Sequence, residues 1–413
     1  MNRVALAEIP MIFILIGLIC YTVLAGADFG AGFWQLTAGS GPVAERLRDH
    51  AHRAMAPVWE ANHVWLIFAL TVFWTAYPAA FGPIAIALTV PLLMAGIGVI
   101  LRGTAYALQS GTADDRERRL VDTVFGVSSV LTPLAMGAAV GGIAAGRVPS
   151  TNPRQALLSS WLNPTSALSG ALAVAVAAYL AAVYLAADAV RIDDADLARR
   201  FRKRALGAGL VGGALAVGGL VVLRADAPRL FHGLTHGPGL VALTVSVGAG
   251  VATLALVWVG QFAIARPVAA LAVAAIVAGW AMVQRPVLLP GLTVERAAAP
   301  AATLVALVVA VLGGAVLLFP ALGWLFFLVL AGRFDWSPEV DPARGVPARV
   351  PGGARRLLRP LTKAALVAGI VLLTFAEASW AHAVGVICLL AVLPLGCLAV
   401  DPAGVAALSG DQR

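Results

Sequence analysis

Charge is what this chain has least of. Asp, Glu, Lys and Arg together make up 12% of its 413 residues, about half the usual share. Hydrophobic residues make up 60%, against roughly 45–50% in soluble domains. That balance excludes a soluble globular enzyme and a disordered chain. Cysteine is scarce too: Cys20, Cys388 and Cys397 are the only three. No CxxC pair exists, which excludes a secreted disulfide scaffold. All three lie in apolar stretches, where thiols pack as small hydrophobes. A P-loop, a Rossmann fingerprint, an HExxH and a GxSxG pattern are all missing. These absences leave no site for ATP and no evident hydrolytic nucleophile.

Long apolar runs are what the chain does have. Crossing ~30 Å of hydrocarbon takes about 20 residues of helix. Runs of that kind stand near 9–33, 54–77, 80–109, 121–146, 162–188, 204–223, 238–262, 267–284 and 300–331. A last stretch, near 357–400, is too long for one span and holds Glu377, Ser379 and His382 in its middle. It reads as a helical hairpin with that polar patch at the turn, or as a single helix. The expected fold class is an all-α polytopic membrane protein. About nine transmembrane helices would form four-helix-bundle-like groups, followed by the C-terminal hydrophobic hairpin or single helix. The expected domain division is a membrane domain over 1–332, a cytoplasmic loop over 333–356 and a hydrophobic extension over 357–413. Ala25-Gly26-Ala27 resembles a signal-peptidase site, but the run around it is too long for a leader. No lipidation motif or tandem repeat is visible.

The net charge of +8 comes from 29 basic against 21 acidic residues. In a soluble protein such a balance would point to nucleic acid. Here the basic residues sit in connections between apolar runs, so the reading is topological, with no nucleic-acid partner. Arg46, Arg48 and Arg53 follow span 1, and Arg102, Arg116, Arg118 and Arg119 follow span 3. Arg191, Arg199, Arg200, Arg202, Lys203 and Arg204 follow span 5, Arg266 follows span 7, and a further arginine-rich segment follows span 9. The alternate connections carry far fewer. The positive-inside rule then puts the N-terminus outside a bacterial cytoplasmic membrane.

An ionisable residue within a span is costly and usually faces the protein interior. Asp28 lies in Gly26-Ala27-Asp28-Phe29-Gly30. Trp59, Glu60, Asn62 and His63 open span 2, and Arg102 closes span 3. At 1.5 Å per residue, Asp28 and Arg102 each fall about 28 Å from the outer face. Glu60 falls roughly 10 Å in from the cytoplasmic side. These groups converge in depth, and Asp122 at the start of span 4 stands near them. Such a set fits the mouth of a proton path equally as well as a structural cluster whose charges satisfy one another. His63 has no second histidine one turn on, so it makes no haem or metal site by itself. His232 and His236 flank an outer loop and read as surface residues. Gly26 and Gly30 have the small-xxx-small spacing of close helix contacts.

These residues together resemble a family. The GADFG segment, Ala56-Pro57-Val58-Trp59-Glu60-Ala61-Asn62-His63-Val64-Trp65-Leu66 and Arg102-Gly103, in that order, resemble subunit II of cytochrome bd-type quinol oxidases. Phe125-Gly126-Val127-Ser128-Ser129, Trp161-Leu162-Asn163-Pro164 and Pro290-Gly291-Leu292-Thr293 add to the likeness, which covers roughly 9–330. The resemblance implies a subunit that binds no haem of its own. Its partner would be a haem-bearing subunit I, holding haem b and haem d, which oxidises quinol and reduces dioxygen to water. A small single-helix accessory subunit, membrane lipid and a bound quinone are further expected partners. Carried over residue by residue, the proton path falls on Asp28, Trp59, Glu60 and Arg102, with His63, Asn62 and Asp122 beside it. The family usually has Trp-Asp-Gly-Asn-Glu where this chain has Trp59-Glu60-Ala61-Asn62-His63. The carboxylate is kept but moved by a methylene, and an acid is replaced by a possible base. The chain therefore reads as a divergent branch.

Two other classes fit the same composition. A secondary transporter would also use intramembrane carboxylates and an arginine, but near the midplane on broken helices. A purely structural subunit would need Glu60 for stability and not for turnover.

Overall fold

The computed structural model describes residues 3–109, 115–330 and 352–375, with short helical pieces between 380 and 392. Within its helices, the side chains of 55–61, 325–330, 352–359 and a few single positions lie outside the described set. Proline or glycine opens seven of the sixteen described elements. The first five helices are α1 (Arg3–Leu36), α2 (Pro42–Ala76), α3 (Pro78–Ala87), α4 (Thr89–Gln109) and α5 (Asp115–Ala144). A 3-10 turn (Pro153–Ala156) leads to α6 (Pro164–Arg191), α7 (Ala195–Asp226), α8 (Pro228–Thr235), α9 (Gly237–Trp258) and α10 (Phe262–Gln284). Strands β1 (Val287–Leu289) and β2 (Leu292–Thr293) form a small antiparallel hairpin. α11 (Val294–Ala297), α12 (Ala301–Leu330) and α13 (Gly352–Phe375) follow.

Among the described residues, eight helices are long and apolar enough to cross a membrane. A ninth span is counted if the apolar half of α2, Asn62–Ala76, is taken with α3, from which it bends by 119°. The all-α polytopic expectation holds, with one correction in the second and third spans. The run from 80 to 109 is not one helix. Tyr77 precedes Pro78, and the α conformation is disfavoured before proline. Tyr77 accordingly sits at φ −133°, ψ 58°, and the chain turns there, between the two expected runs; the break within the second run is at Leu88, at φ −103°, ψ 19°. α4 starts only at Thr89, so Arg102 lies 13 residues into it (102 − 89). That is about 20 Å of helix beyond the break at Leu88. A second difference lies before Asn62. Arg46, Arg48 and Arg53 are not on a loop but on the first turns of α2, which continues without a break into the apolar half.

Close packing explains the small-residue motifs. A Cβ on Gly30 would overlap the carbonyl oxygen of Ala177 on α6, and one on Gly32 would overlap the Ser129 hydroxyl on α5. The GADFG segment and the glycine after it thus let α1 approach two helices at once. α6 is rich in alanine from Ala171 to Ala189, and its residues 177–183 are buried on every side. That is how a helix packed all round reads in sequence. α1 contacts α2, α5 and α6, while α6 also contacts α7 and α10. α6 therefore joins a first group (α1, α2, α4, α5) to a second (α6, α7, α9, α10).

Two of the resemblance motifs are caps and turns. Asn163 is the N-cap of α6 and accepts from the Ser166 amide at 2.9 Å, with Pro164 in the first turn. Gly291 takes φ +78° between β1 and β2, a conformation that glycine adopts without strain. Thr293 then caps α11.

By contacts the chain divides into Met1–Leu322 and Gly323–Arg413. In the second unit the apolar part of α13, Pro360–Leu372, is shorter than a span. Glu377, Ser379 and His382, expected at a hairpin turn, lie outside the described residues.

Candidate functional site

Asp28, Asn62 and Arg102 come together inside the first helical group. Asp28 and Arg102 are each only 2% exposed, and Asn62 is fully buried. Arg102 Nη1 donates to Asp28 Oδ2 at 2.5 Å and Nη2 to Oδ1 at 2.7 Å. Nη2 also donates to the Asp28 carbonyl oxygen at 3.0 Å. This is the two-pronged geometry that a planar guanidinium offers a carboxylate. Asn62 Nδ2 gives Asp28 Oδ2 another donor at 2.8 Å. Arg102 Nε donates to the Ser129 hydroxyl at 3.0 Å, and that hydroxyl donates to the Phe125 carbonyl at 2.6 Å. The guanidinium lies between two aromatic faces, 4.9 Å from the Phe29 ring centre and 4.6 Å from that of Phe125. The charges are thus paired, bonded and roofed. One acceptor is left over: Asn62 Oδ1 is buried with no donor among the described residues.

A cavity of about 1010 Å³ stands next to this cluster, on the arginine-rich side. Glu45, Asp49 and His52 of α2, Tyr106 of α4, and Arg118 and Asp122 of α5 line it. Tyr106 is one helical turn past Arg102, and Asp122 is one turn before Phe125, so its inner end approaches the ion pair. The His52 ring stacks on Tyr106 at 4.9 Å. Burial lowers the His52 pKa from its usual value, while Asp49 and Asp122 pull it back up.

The match decides the lineage: the description "Cytochrome bd terminal oxidase subunit II" fits residues 6–329. The chain belongs to the cytochrome bd terminal oxidase subunit II family. One relative is the putative cytochrome bd menaquinol oxidase subunit II of Bacillus subtilis (strain 168), 26% identical over 220 residues. That match covers 52% of this chain and 62% of the relative. Another is the cytochrome bd-I ubiquinol oxidase subunit 2 of Escherichia coli (strain K12), 27% identical over 174 residues, 41% of this chain and 45% of the relative. The chain thus matches less than two thirds of either relative's length. A chain in the structure of bd oxidase from Geobacillus thermodenitrificans superposes with a TM-score of 0.61 at 25% identity. It covers 79% of this chain and 99% of that one.

In this bd subunit II chain, the structure joins Asp28, Asn62 and Arg102. Asp122 lines the cavity. His63 is half-buried on α2, turned about 100° from Asn62. Trp59 and Glu60 lie on α2 just before Asn62, and their side chains lie outside the described residues. Sequence reasoning passed over Phe29, Phe125, Ser129 and His52. Phe125 and Ser129 are four apart, one turn on a face, which was the available signal. Among the described residues no three His, Cys, Asp or Glu gather as metal ligands. His232 and His236 stack at 5.8 Å on the surface, with His236 Nδ1 bonded to the His232 carbonyl.

Proposed function

We propose that this chain is the non-haem subunit II of a bd-type terminal quinol:dioxygen oxidoreductase. In this reading it supports assembly of a haem-bearing subunit I and contributes a cytoplasmic-side proton path. The observation that carries it is the buried Asp28–Arg102–Asn62 cluster, one helical turn along α4 from Tyr106 on the wall of a polar cavity, in a chain of this family. The haems of the partner would supply electron transfer and dioxygen chemistry. Reduction of dioxygen to water consumes protons as well as electrons, and protons need titratable groups and water to cross an apolar layer.

The residues divide that work. Three side-chain donors already fill the Asp28 carboxylate, so this group acts as a fixed post that holds Arg102 and Asn62 in place. Proton carriage then falls to Asp122, Glu60 and His63 around it. Asn62 Oδ1 is the acceptor left for a donor on that route. Val64, Ile67 and Trp74 of α2 and Leu93, Ile97 and Ile100 of α4 are exposed, on the sides of their helices turned away from Asn62 and Arg102. That apolar face suits a second large membrane subunit.

Glu60→Gln removes a titratable group and keeps its size. In the purified complex it should slow oxygen reduction on the order of tenfold or more, with haem content unchanged. Unaltered turnover in that variant would sink the proton-path reading. A chain that purifies alone, without haem bands or a second large subunit, would favour a solute transporter built on the same cluster.

A further inference from the structure

The cytoplasmic ends of α7 and α9 carry a second charged feature, far from the cluster in sequence. Arg199, Arg202 and Lys203 occupy one turn of α7. Like charges three and four apart on a helix repel. The nearby carboxylate, Asp196, is already shared: it lies 2.9 Å from Arg200, 3.6 Å from Arg199 and 3.8 Å from Arg46. No described ion pair reaches Lys203, and Arg199 is 73% exposed.

The apolar surface below these cations is aligned with them. Counting at 100° per residue, Arg199, Lys203, Leu210, Val217 and Val221 fall within about 40° of one another. Leu210, Val217 and Val221 are all exposed. α9 has a matching stripe: Val247, Val251 and Trp258, all exposed, with Trp258 at its cytoplasmic end. Arg202, turned about 60° from Arg199, bridges the two helices. It donates to the Trp258 carbonyl, and its guanidinium lies 5.7 Å from the indole centre. Gly213 on α7, turned about 40° from Arg199 toward Arg202, and Gly248 and Gly250 on α9 have open space where a Cβ would stand. α7 and α9 contact each other, so the two exposed stripes border one apolar groove that ends at an indole and three cations.

We propose that this groove is a site for one anionic diacyl phospholipid. Its phosphate would rest on Arg199 and Lys203, its glycerol level beside Trp258 and Arg202, and its chains along the glycine-lined stripes. The chemistry fits each part. Basic side chains at the cytoplasmic boundary attract anionic headgroups, tryptophan favours that same depth, and lysine stems lie along apolar surface while the head stays polar. The inference requires only that the chain spans the membrane, and is independent of the proton-path reading.

Brominated acyl chains quench nearby tryptophan, so Trp258 can report its neighbour. The complex as extracted is reconstituted in phosphatidylcholine nanodiscs containing a minor share of phosphatidylglycerol, with one lipid brominated at a time. The Trp258 signal is the difference between the parent and Trp258→Phe. Brominated phosphatidylglycerol should quench this signal more, per lipid present, than brominated phosphatidylcholine. Arg199→Gln with Lys203→Gln should lower that preference on the order of tenfold, from about 1 kcal/mol per cation. Lys203→Arg keeps the charge and should keep the preference, which separates binding from misfolding. Equal quenching by both lipids would mean ordinary annular lipid and would overturn the site. So would no quenching by either lipid, which would mean a protein covers the groove, or an undiminished preference in the double variant.

Discussion

Arg102 holds Asp28 with a geometry that an ammonium cannot copy. Two parallel donors meet two carboxylate oxygens, a third reaches Ser129, and two rings cover the faces. Lysine would keep the charge and lose the fork and the ring contacts. Removing one partner of a buried pair costs about 3–5 kcal/mol, because the other charge is left uncompensated. Arg102→Ala should therefore lower the thermal midpoint of the detergent-solubilised complex markedly, and Arg102→Lys by a smaller amount. Asp28→Asn combined with Arg102→Gln leaves no bare charge and should be less destabilised than Arg102→Gln or Asp28→Asn alone. A double variant that simply adds the two single losses would show that the groups are not coupled. Glu60 differs in kind: its variant is expected to change rate and not assembly. Asp28 and Arg102 were legible as partners because charges in apolar runs need them and because both counted to similar depths. The aromatic roof was not legible, since Phe29 and Phe125 look like any apolar residue until α4 and α5 are placed beside α1.

Elements show where counting residues stops working. Hydropathy located eight of the long helices because each needs about 20 apolar residues whatever it packs against. It broke the chain at Tyr77 but ran through the second break at Leu88, between α3 and α4, because an average over apolar residues does not register a helix end with no polar residue in it. It also missed the polar start of α2, whose charges are met by another element. Arg46 reaches Asp194 at 2.7 Å, and Asp194 caps α7 by accepting from the Leu197 amide at 3.0 Å. The Leu197 amide and then Arg46 hold the Asp194 carboxyl below the usual carboxylate range. A depressed folded-state pKa stabilises above the ordinary value, near 3.9, and the gain is lost as pH falls through the folded value. Hydrogen exchange at the first turn of α7 should thus rise in Asp194→Ala at neutral pH. The difference from the parent should shrink as pH drops below about 4. A difference that persists in acid would assign the effect to packing and not to the cap.

At the scale of the molecule, the exposed surface differs between its two helical groups. The first shows branched and aromatic residues, and the second shows glycine and valine over lipid depth. If the first is the docking face, enlarging it should weaken the complex. Ile97→Trp or Ile100→Trp stays apolar but overfills the contact, at about 1–3 kcal/mol. Haem recovered per chain after extraction should fall in either variant and hold in Val217→Trp on α7. Equal haem in all of them would remove that face from the interface. The lineage was readable from motifs spread along the chain, yet several of those motifs turn out to be caps, turns and close contacts. Asn163, Gly291 and Gly30 mark the shape of the subunit, whereas Asp28 and Arg102, held by Asn62, mark a buried ion pair.

The spacing of that charge has a consequence for how the protein is made. Asp28 and Arg102 are 74 residues apart in the chain. At roughly 5–20 residues per second, α1 waits about 4–15 s for the arginine that neutralises it. A lone carboxylate in hydrocarbon is opposed by about 2.5–3.5 kcal/mol during insertion. Biosynthesis must therefore shelter α1 until α4 emerges, at the insertion machinery or against a helix already in place. The nascent chain is most exposed to quality-control proteolysis in that interval.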